Sequence, residues 1–174
     1  LSIYTLLADG KSKYADGRSR QLGRHLAGIV QDQVCADIRA GFEPKWTRRE
    51  LWNRSYSESR TTSVPGMPLE LLSHQNFSDM KYGLDPSFRF EVSRAVYKGM
   101  LKFLSDAYGI PYAVQPLPVS SMSARLTDDK EVTLSWKATP DPNEPTADPE
   151  RFILYTRIDD GPFDEGVTLQ DVKS

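Results

Sequence analysis

A carboxylate stands inside an apolar run in the stretch PLELLSHQNFSDMKYGLDP, residues 68–86. Glu70 follows Leu69 and precedes Leu71 and Leu72, and a carboxylate in an apolar strand is costly unless it is paired, neutralised or used. Glu70 also stands near the end of the strand predicted here, and ligands of α/β sheets collect beyond the carboxyl ends of strands. Two interpretations stay open: a functional carboxylate, or an ion pair with a neighbouring arginine.

Few other residues have the chemistry of a catalytic or ligand-binding group. His25 and His74 are the two histidines, and they cannot complete a zinc site without carboxylates. His74 follows Glu70 in the predicted loop, where a hydrogen-bonding role competes with ligand binding. Arg18, Arg20 and Arg24 could reach an anionic group from the first turns of a helix, or form a solvated face. The sequence contains no phosphate loop, dinucleotide-binding glycine motif, cysteine pair or nucleophile elbow.

Composition is that of an ordinary globular protein, with 174 residues, 39% hydrophobic content and a net charge of -2. No apolar run approaches the roughly 20 residues needed to span a bilayer. The first residues lack the basic and apolar regions of a signal peptide, and without an initiator Met we expect an internal segment of a longer protein. The single Cys35 permits no internal disulfide and is interpreted as a packing residue.

Charge and proline content change near residue 112. Residues 1–112 carry 16 Lys and Arg against 12 Asp and Glu, whereas residues 113–174 carry 6 against 12. The prolines number 5 in the first part and 7 in the shorter second part. These shifts predict two domains, 1–112 and 113–174. The positive balance of the first is too diffuse for a nucleic-acid interface, which needs a basic stripe with interleaved aromatics.

Strands alternating with amphipathic helices predict an α/β layer fold for the first domain. SIYTLL favours a buried strand, and helices are predicted over 18–40 and 86–108. The predicted helix ends are marked by Asp16 and Gly41 for the first helix, and by Asp85, Pro86 and Gly109 for the second. Each helix has an apolar stripe that must be buried: Leu22, Leu26, Ile29, Val30, Val34 and Ile38, then Phe88, Val92, Ala95, Val96, Met100, Phe103, Leu104 and Ala107.

The second domain reads as all-β. SMSARLT, KEVTLSWKA and RFILYTRID are short runs with two-residue alternation, separated by Asp-, Pro- and Gly-rich turns. In the second run, Val132, Leu134 and Trp136 point one way. Three or four strands are counted where a β-sandwich needs about seven, so we predict a truncated sandwich.

The stretch MPLELLSHQNFSDMKYGLDPSFRFEVSRAVYKGMLKFL resembles the C-terminal part of the zinc-dependent N-acetylmuramoyl-L-alanine amidases. The matching residues are Glu70 at the end of an apolar strand, Asn76 six residues on, Asp79 three further, and a helix that holds Gly99. LGRHLAGIV is similar to the preceding helix of that family, so the resemblance covers about residues 1–108. The family usually has Gly-Phe shortly after the Glu, where this chain has LLSHQ.

The resemblance implies part of a three-layer α/β domain that hydrolyses amide bonds of peptidoglycan, in a secreted, periplasmic or cell-surface protein. It implies that Glu70 is the general base, which passes its proton to the leaving amine. Asn76, His74, Arg18 and Arg20 are the candidate substrate-binding residues. The family's zinc ligands, two His and one Glu, belong to segments upstream of this chain. No metal ligand is therefore assigned here, and we expect this segment alone to be inactive.

The second part, LPVSSMSARLTDDKEVTLSWKATPDP through RFILYTRIDDGPFD, is similar to the first strands of a fibronectin type III domain. Trp136 matches that family's core Trp and Tyr155 its third-strand Tyr. This pairing of domains is similar to large secreted bacterial proteins often labelled xanthan lyases. Two alternatives to the hydrolase stay open: a non-catalytic protein that binds glycan or peptide through Trp46, Trp52 and Tyr56, and a polysaccharide-degrading protein whose chemistry lies elsewhere in a longer chain.

Overall fold

The computed structural model describes residues 1–169, and the chain divides into two compact units, Leu1–Tyr112 and Ala113–Ser174. Their boundary coincides with the change in charge and proline content. Residues 170–174, the end of the predicted second domain, lie outside the described residues. The chain mixes helices with small two-stranded sheets, as an α/β composition of elements requires.

The first unit contains two short strands and four helices. They are β1 (Ser2–Tyr4), α1 (Gln21–Gly41), β2 (Leu51–Asn53), α2 (Ser57–Arg60), α3 (Phe77–Gly83) and α4 (Pro86–Tyr108). β1 and β2 pair in parallel. On the other edge of β1, the Ile3 N–H donates to the Pro68 carbonyl and the Glu70 N–H to the Leu1 carbonyl. Residues 68–70 thereby run antiparallel beside β1, in place of the longer strand that the sequence predicts.

The ends of α4 agree with the prediction from sequence. The Asp85 carboxylate accepts the N–H of Ser87, and Pro86 occupies the first turn. Gly109 ends the helix in the left-handed conformation, with φ of 68°. That conformation is costly for residues with a Cβ, so glycine suits the position.

The start of α1 differs from the prediction. The helix begins at Gln21 and its N-cap residue is Arg20, which makes no side-chain capping bond. Asp16, predicted as the cap, instead accepts the N–H of Arg18 within the preceding turn. The Asp16 prediction was therefore wrong, because a local Asp turn satisfies that side chain before the helix begins.

The hydrophobic core of the first unit lies where α1 packs on α4. Val30, Val34 and Ile38 of α1 meet Phe88 and Ala95 of α4 in one buried cluster. The predicted stripe of α1 is thus confirmed over its C-terminal half, from Val30 to Ile38. Burial of each Val, Ile or Phe side chain of this cluster stabilises the fold by about 1.5–3 kcal/mol.

The buried face of α4 differs in part from its predicted stripe. Met100 and Leu104 are exposed. Lys98 is buried instead, with its Nζ 2.8 Å from Oδ2 of the buried Asp37 on α1. Gly99 lies beside this pair, where a Cβ would approach the Cα of Val30 to 2.8 Å. Glycine is needed there because the two helix backbones come so close.

The second unit is built from two hairpin-like pairs of strands. β3 (Ser120–Leu126) pairs antiparallel with β4 (Val132–Lys137), and β5 (Phe152–Leu154) pairs antiparallel with β6 (Val167–Leu169). The ring of Trp136 on β4 meets that of Phe152 on β5 edge-on, with centroids 5.5 Å apart. Tyr155 follows β5 and is exposed.

Candidate functional site

The Glu70 side chain faces solvent, whereas the side chains on either side of it face the apolar core. Leu69, Leu71 and Leu72 pack against the core of the first unit, while Glu70 is exposed. Successive side chains of extended backbone point to opposite faces, so the pairing with β1 turns this carboxylate away from the core. Within residues 1–169 no arginine forms an ion pair with Glu70.

Glu70 lines a pocket of about 400 Å³ in the first unit. Its walls come from the middle of α1, the loop that precedes β2 and the segment beside β1. The lining residues are Leu1, Gln31, Val34, Cys35, Trp46, Thr47, Arg49, Leu69, Glu70, Leu71, Leu72, Ser73 and Asp79. A volume of this size suits a small ligand rather than a single water molecule.

Gln31 supplies the most buried polar group of this pocket. The residue is 2% exposed, and its Nε2 donates to the Arg49 carbonyl at 2.6 Å. Its Oε1 is buried and has no hydrogen-bond partner among residues 1–169. A buried acceptor without a donor is costly, so this oxygen is suited to a donor that enters the pocket.

The other charged residues of the pocket differ in how they are held. The Asp79 carboxylate accepts the N–H of Ser73 at 2.8 Å and braces the loop between them. Arg49 is exposed, and its guanidinium makes no ion pair or hydrogen bond with residues 1–169. Glu70 and Arg49 therefore line one pocket with opposite charges and form no ion pair with each other, and the Leu1 ammonium on the same wall interacts electrostatically with both.

Cys35 lines the same pocket but is unsuited to nucleophilic chemistry. The residue is buried, as its interpretation as a packing residue implies. Burial raises the pKa of the Cys35 thiol, against smaller opposing effects of Arg39 and Arg48. A thiol with a raised pKa stays protonated at neutral pH, and the thiolate is the nucleophilic form.

His74 and Asn76 follow Glu70 in sequence but do not line its pocket. His74 is exposed in the turn that precedes α3. The side chain of Asn76 is the N-cap of α3 and accepts the N–H of Ser78 at 2.9 Å and that of Asp79 at 3.4 Å. Asn76 therefore has a structural role in starting α3.

Arg18 and Arg20 are held by other parts of the first unit and do not line the pocket. Arg18 pairs with Asp16, and the hydrogen bond between their side chains holds the pKa of Asp16 below its usual range. Arg20 is buried and donates to the carbonyls of Ser59 and Arg60. The two guanidiniums thus tie the turn before α1 and the end of α2, and Glu70 alone of the five predicted site residues lines the pocket.

Gln31 and Arg49 line the pocket but are not among the site residues predicted from the sequence. Gln31 carries one signal, because helical spacing places this polar residue beside Val34 of the apolar stripe of α1. Arg49 carries none, because it stands in a polar loop next to another arginine. Their proximity to Glu70 arises from tertiary structure alone.

The three aromatic residues proposed for ligand binding have different surroundings. Trp46 lines the pocket and packs edge-on against Tyr82, with ring centroids 5.7 Å apart. Trp52 and Tyr56 are exposed, and the guanidinium of Arg54 lies 5.5 Å from the Trp52 ring centroid. An exposed aromatic ring is a suitable contact for the apolar face of a sugar or for a peptide.

Within residues 1–169, no three His, Cys, Asp or Glu side chains are grouped so that they could hold a metal ion. The zinc implied by the amidase resemblance therefore has no site among these residues, and no chemical step is assigned to it. In the same range, no helix has the length and apolar character of a membrane span.

Comparisons of the chain with protein-family models, with curated proteins and with solved structures give no match. The amidase-like and fibronectin-like interpretations accordingly rest on the sequence motifs quoted above.

Proposed function

We propose that the first unit belongs to a hydrolase of cell-wall amide bonds in which Glu70 is the general base. The observation that carries this proposal is the carboxylate itself, which is exposed, unpaired within residues 1–169 and on the wall of a pocket of about 400 Å³. A carboxylate held in an ion pair is a poor base, whereas an unpaired one beside a pocket can take a proton from water.

The proposed reaction needs one proton to move twice. Glu70 takes a proton from the attacking water as its oxygen bonds to the amide carbon. It then gives that proton to the amide nitrogen as the carbon–nitrogen bond breaks. The products are a carboxylic acid and an amine, so the peptide leaves the sugar with a free amino end. The exposed position of Glu70 leaves room for both the water and the amide.

Replacing Glu70 by Gln tests the proposal. The assay requires the protein with the upstream segments to which the resemblance assigns zinc ligands, and it measures peptide release from cell-wall fragments. We expect Glu70→Gln to slow turnover by roughly 10²–10⁴-fold. Because the Glu70 side chain is exposed and unpaired, the melting temperature should stay near that of the wild type.

Glu50→Gln is the matched control, because Glu50 is also an exposed carboxylate of the first unit but does not line the pocket. It should leave turnover unchanged. A stable Glu70→Gln variant with wild-type turnover would contradict the proposed base. A lower melting temperature with unchanged turnover per folded molecule would assign Glu70 a structural role instead.

The exposed rings of Trp52 and Tyr56 favour a second candidate, a non-catalytic module that binds glycan or peptide on the same fold. In that case, Trp52→Ala should weaken the binding of cell-wall fragments, while Glu70→Gln should not. Co-sedimentation of both variants with insoluble peptidoglycan distinguishes the two functions.

A further inference from the structure

Two consecutive arginines before β2 have opposite surroundings. The guanidinium of Arg48 forms an ion pair with Asp32 on α1. Arg49, in contrast, lines the pocket that contains Glu70, and it forms no ion pair within residues 1–169. An unpaired guanidinium on a pocket wall is suited to an anionic group of a ligand, because its fork of donors matches a carboxylate.

The backbone of Arg49 is held in place from the interior. Its carbonyl accepts Nε2 of the buried Gln31 at 2.6 Å and a guanidinium N–H of Arg48 at 3.0 Å. The same Gln31 lines the pocket, and its buried Oε1 lacks a donor within the described residues. Gln31 thus helps to hold the backbone of Arg49 and has an acceptor without a donor beside it. A carboxylate and an N–H on one ligand would satisfy both groups, and a peptide carries both.

We propose that this pocket binds a short peptide bearing a free carboxylate, with Arg49 as the residue that selects the carboxylate and Gln31 as an acceptor for a peptide N–H. The inference rests on the proposed hydrolysis, whose amine product is a peptide. It further specifies that the peptide part of the substrate occupies the pocket and that Arg49 binds its carboxylate. The opposite charge of Glu70 on the same wall leaves the amino end of the peptide on the side of the general base.

Calorimetric titration of the 174-residue chain tests this assignment. The probes are the tripeptide Ala-Glu-Ala and its analogue Ala-Gln-Ala-amide, which keeps the amino end but has no carboxylate. We expect the wild type to bind the acidic peptide roughly tenfold or more tightly than the analogue, as a charge-assisted pair predicts. Arg49→Gln should abolish that preference, and Arg49→Lys should keep part of it. Added salt should weaken the preference.

Arg89→Gln is the control, since it removes the same charge from an exposed arginine of the same unit that does not line the pocket. It should keep the wild-type preference. Equal affinity of the wild type for both peptides, or no binding of either, would overturn the inference. An equal loss in both arginine variants would also overturn it, because a general effect of charge would then explain the binding.

Failure here is distinguishable from failure of the proposed hydrolysis. Loss of the carboxylate preference would leave the turnover test of Glu70→Gln unaffected. Wild-type turnover in Glu70→Gln would remove the general base, while binding of the acidic peptide through Arg49 would still be measurable.

Discussion

One of the four three-residue strands, β1, and the seven-residue strand β3 have opposite environments within residues 1–169. All three residues of β1 are buried, whereas all seven residues of β3 are exposed. β1 has a strand or extended segment on each edge and contacts α1. β3 pairs with β4 alone among the described strands. The comparison shows that burial of a strand depends on the layer that covers it, not on its length or its apolar alternation.

Buried contacts between α1 and α4 accordingly stabilise the first unit. The contact of α1 with α4 combines an apolar cluster, the buried pair Asp37–Lys98 and the close approach at Gly99. Gln33 adds to the pair by donating its Nε2 to the Asp37 carboxylate, and Lys102 donates to Gln33 in turn. Loss of any one of these contacts affects others, because they share the same interface.

The second unit depends more on local hydrogen bonds. The hydroxyls of Ser123 and Ser135 bond across β3 and β4. The Asp164 carboxylate accepts both the N–H and the hydroxyl of Thr156. Val132, which the alternation predicts on one face with Leu134 and Trp136, is 62% exposed. Changes in this unit should therefore have smaller effects on stability than changes between α1 and α4.

Breaking the buried pair should give the largest effect. Asp37→Ala leaves the ammonium of Lys98 buried without its counter-ion, and such a loss costs about 3–5 kcal/mol. Urea unfolding followed by circular dichroism at the helical band reports on the first unit, since the four α-helices found within residues 1–169 all lie there.

The exposed pair of Arg48 and Asp32 is the control for this measurement. Asp32→Ala should cost about 1 kcal/mol or less, because solvent screens that pair. Equal losses in Asp32→Ala and Asp37→Ala would mean that burial of the Asp37–Lys98 pair has no energetic consequence.

The close approach of α1 and α4 predicts an intermediate effect. In Gly99→Ala the new Cβ would lie 2.8 Å from the Cα of Val30, and relief of that contact requires the helices to separate. Overpacking of this kind costs about 1–3 kcal/mol. The same unfolding measurement applies.

Gly41→Ala is the matched substitution, because a Cβ at Gly41 meets nothing within 4 Å. Alanine favours helix over glycine by up to about 1 kcal/mol, so this variant should be no less stable than the wild type. A Gly99→Ala variant as stable as Gly41→Ala would show that the helices separate without cost.

The sequence predicts the structural features that depend on residues close together in the chain, such as helix ends. Asp85, Pro86 and Gly109 mark the ends of α4 because caps and stops depend on local backbone geometry. The buried face of α4, in contrast, is predicted only in part. Apolar periodicity selects Met100 and Leu104, but the structure buries Lys98, whose partner Asp37 is on another helix. A pattern along one helix does not contain that pair.

The candidate site divides in the same way. Glu70 stands out because it interrupts an apolar run, and the structure brings it to a pocket wall. Gln31 and Arg49 reach that wall from α1 and from the loop before β2, so their assembly requires tertiary structure. Arg20 is a predicted ligand-binding residue, but its guanidinium donates hydrogen bonds to the carbonyls of Ser59 and Arg60 instead.

The smallest effect should appear in the second unit, at Asp164. Hydrogen bonds from Thr156, its hydroxyl first, lower the pKa of the Asp164 carboxyl. A carboxyl whose pKa is lower in the folded state stabilises that state above its unfolded pKa of about 3.9, and this stabilisation is lost as pH falls through the folded pKa. Thr156→Val removes the hydroxyl donor but keeps the N–H. The pKa of Asp164, followed by carbon NMR, should therefore rise towards its ordinary value, while the helical signal of the first unit stays unchanged. An unchanged Asp164 titration in Thr156→Val would show that the hydroxyl is not what holds this carboxylate.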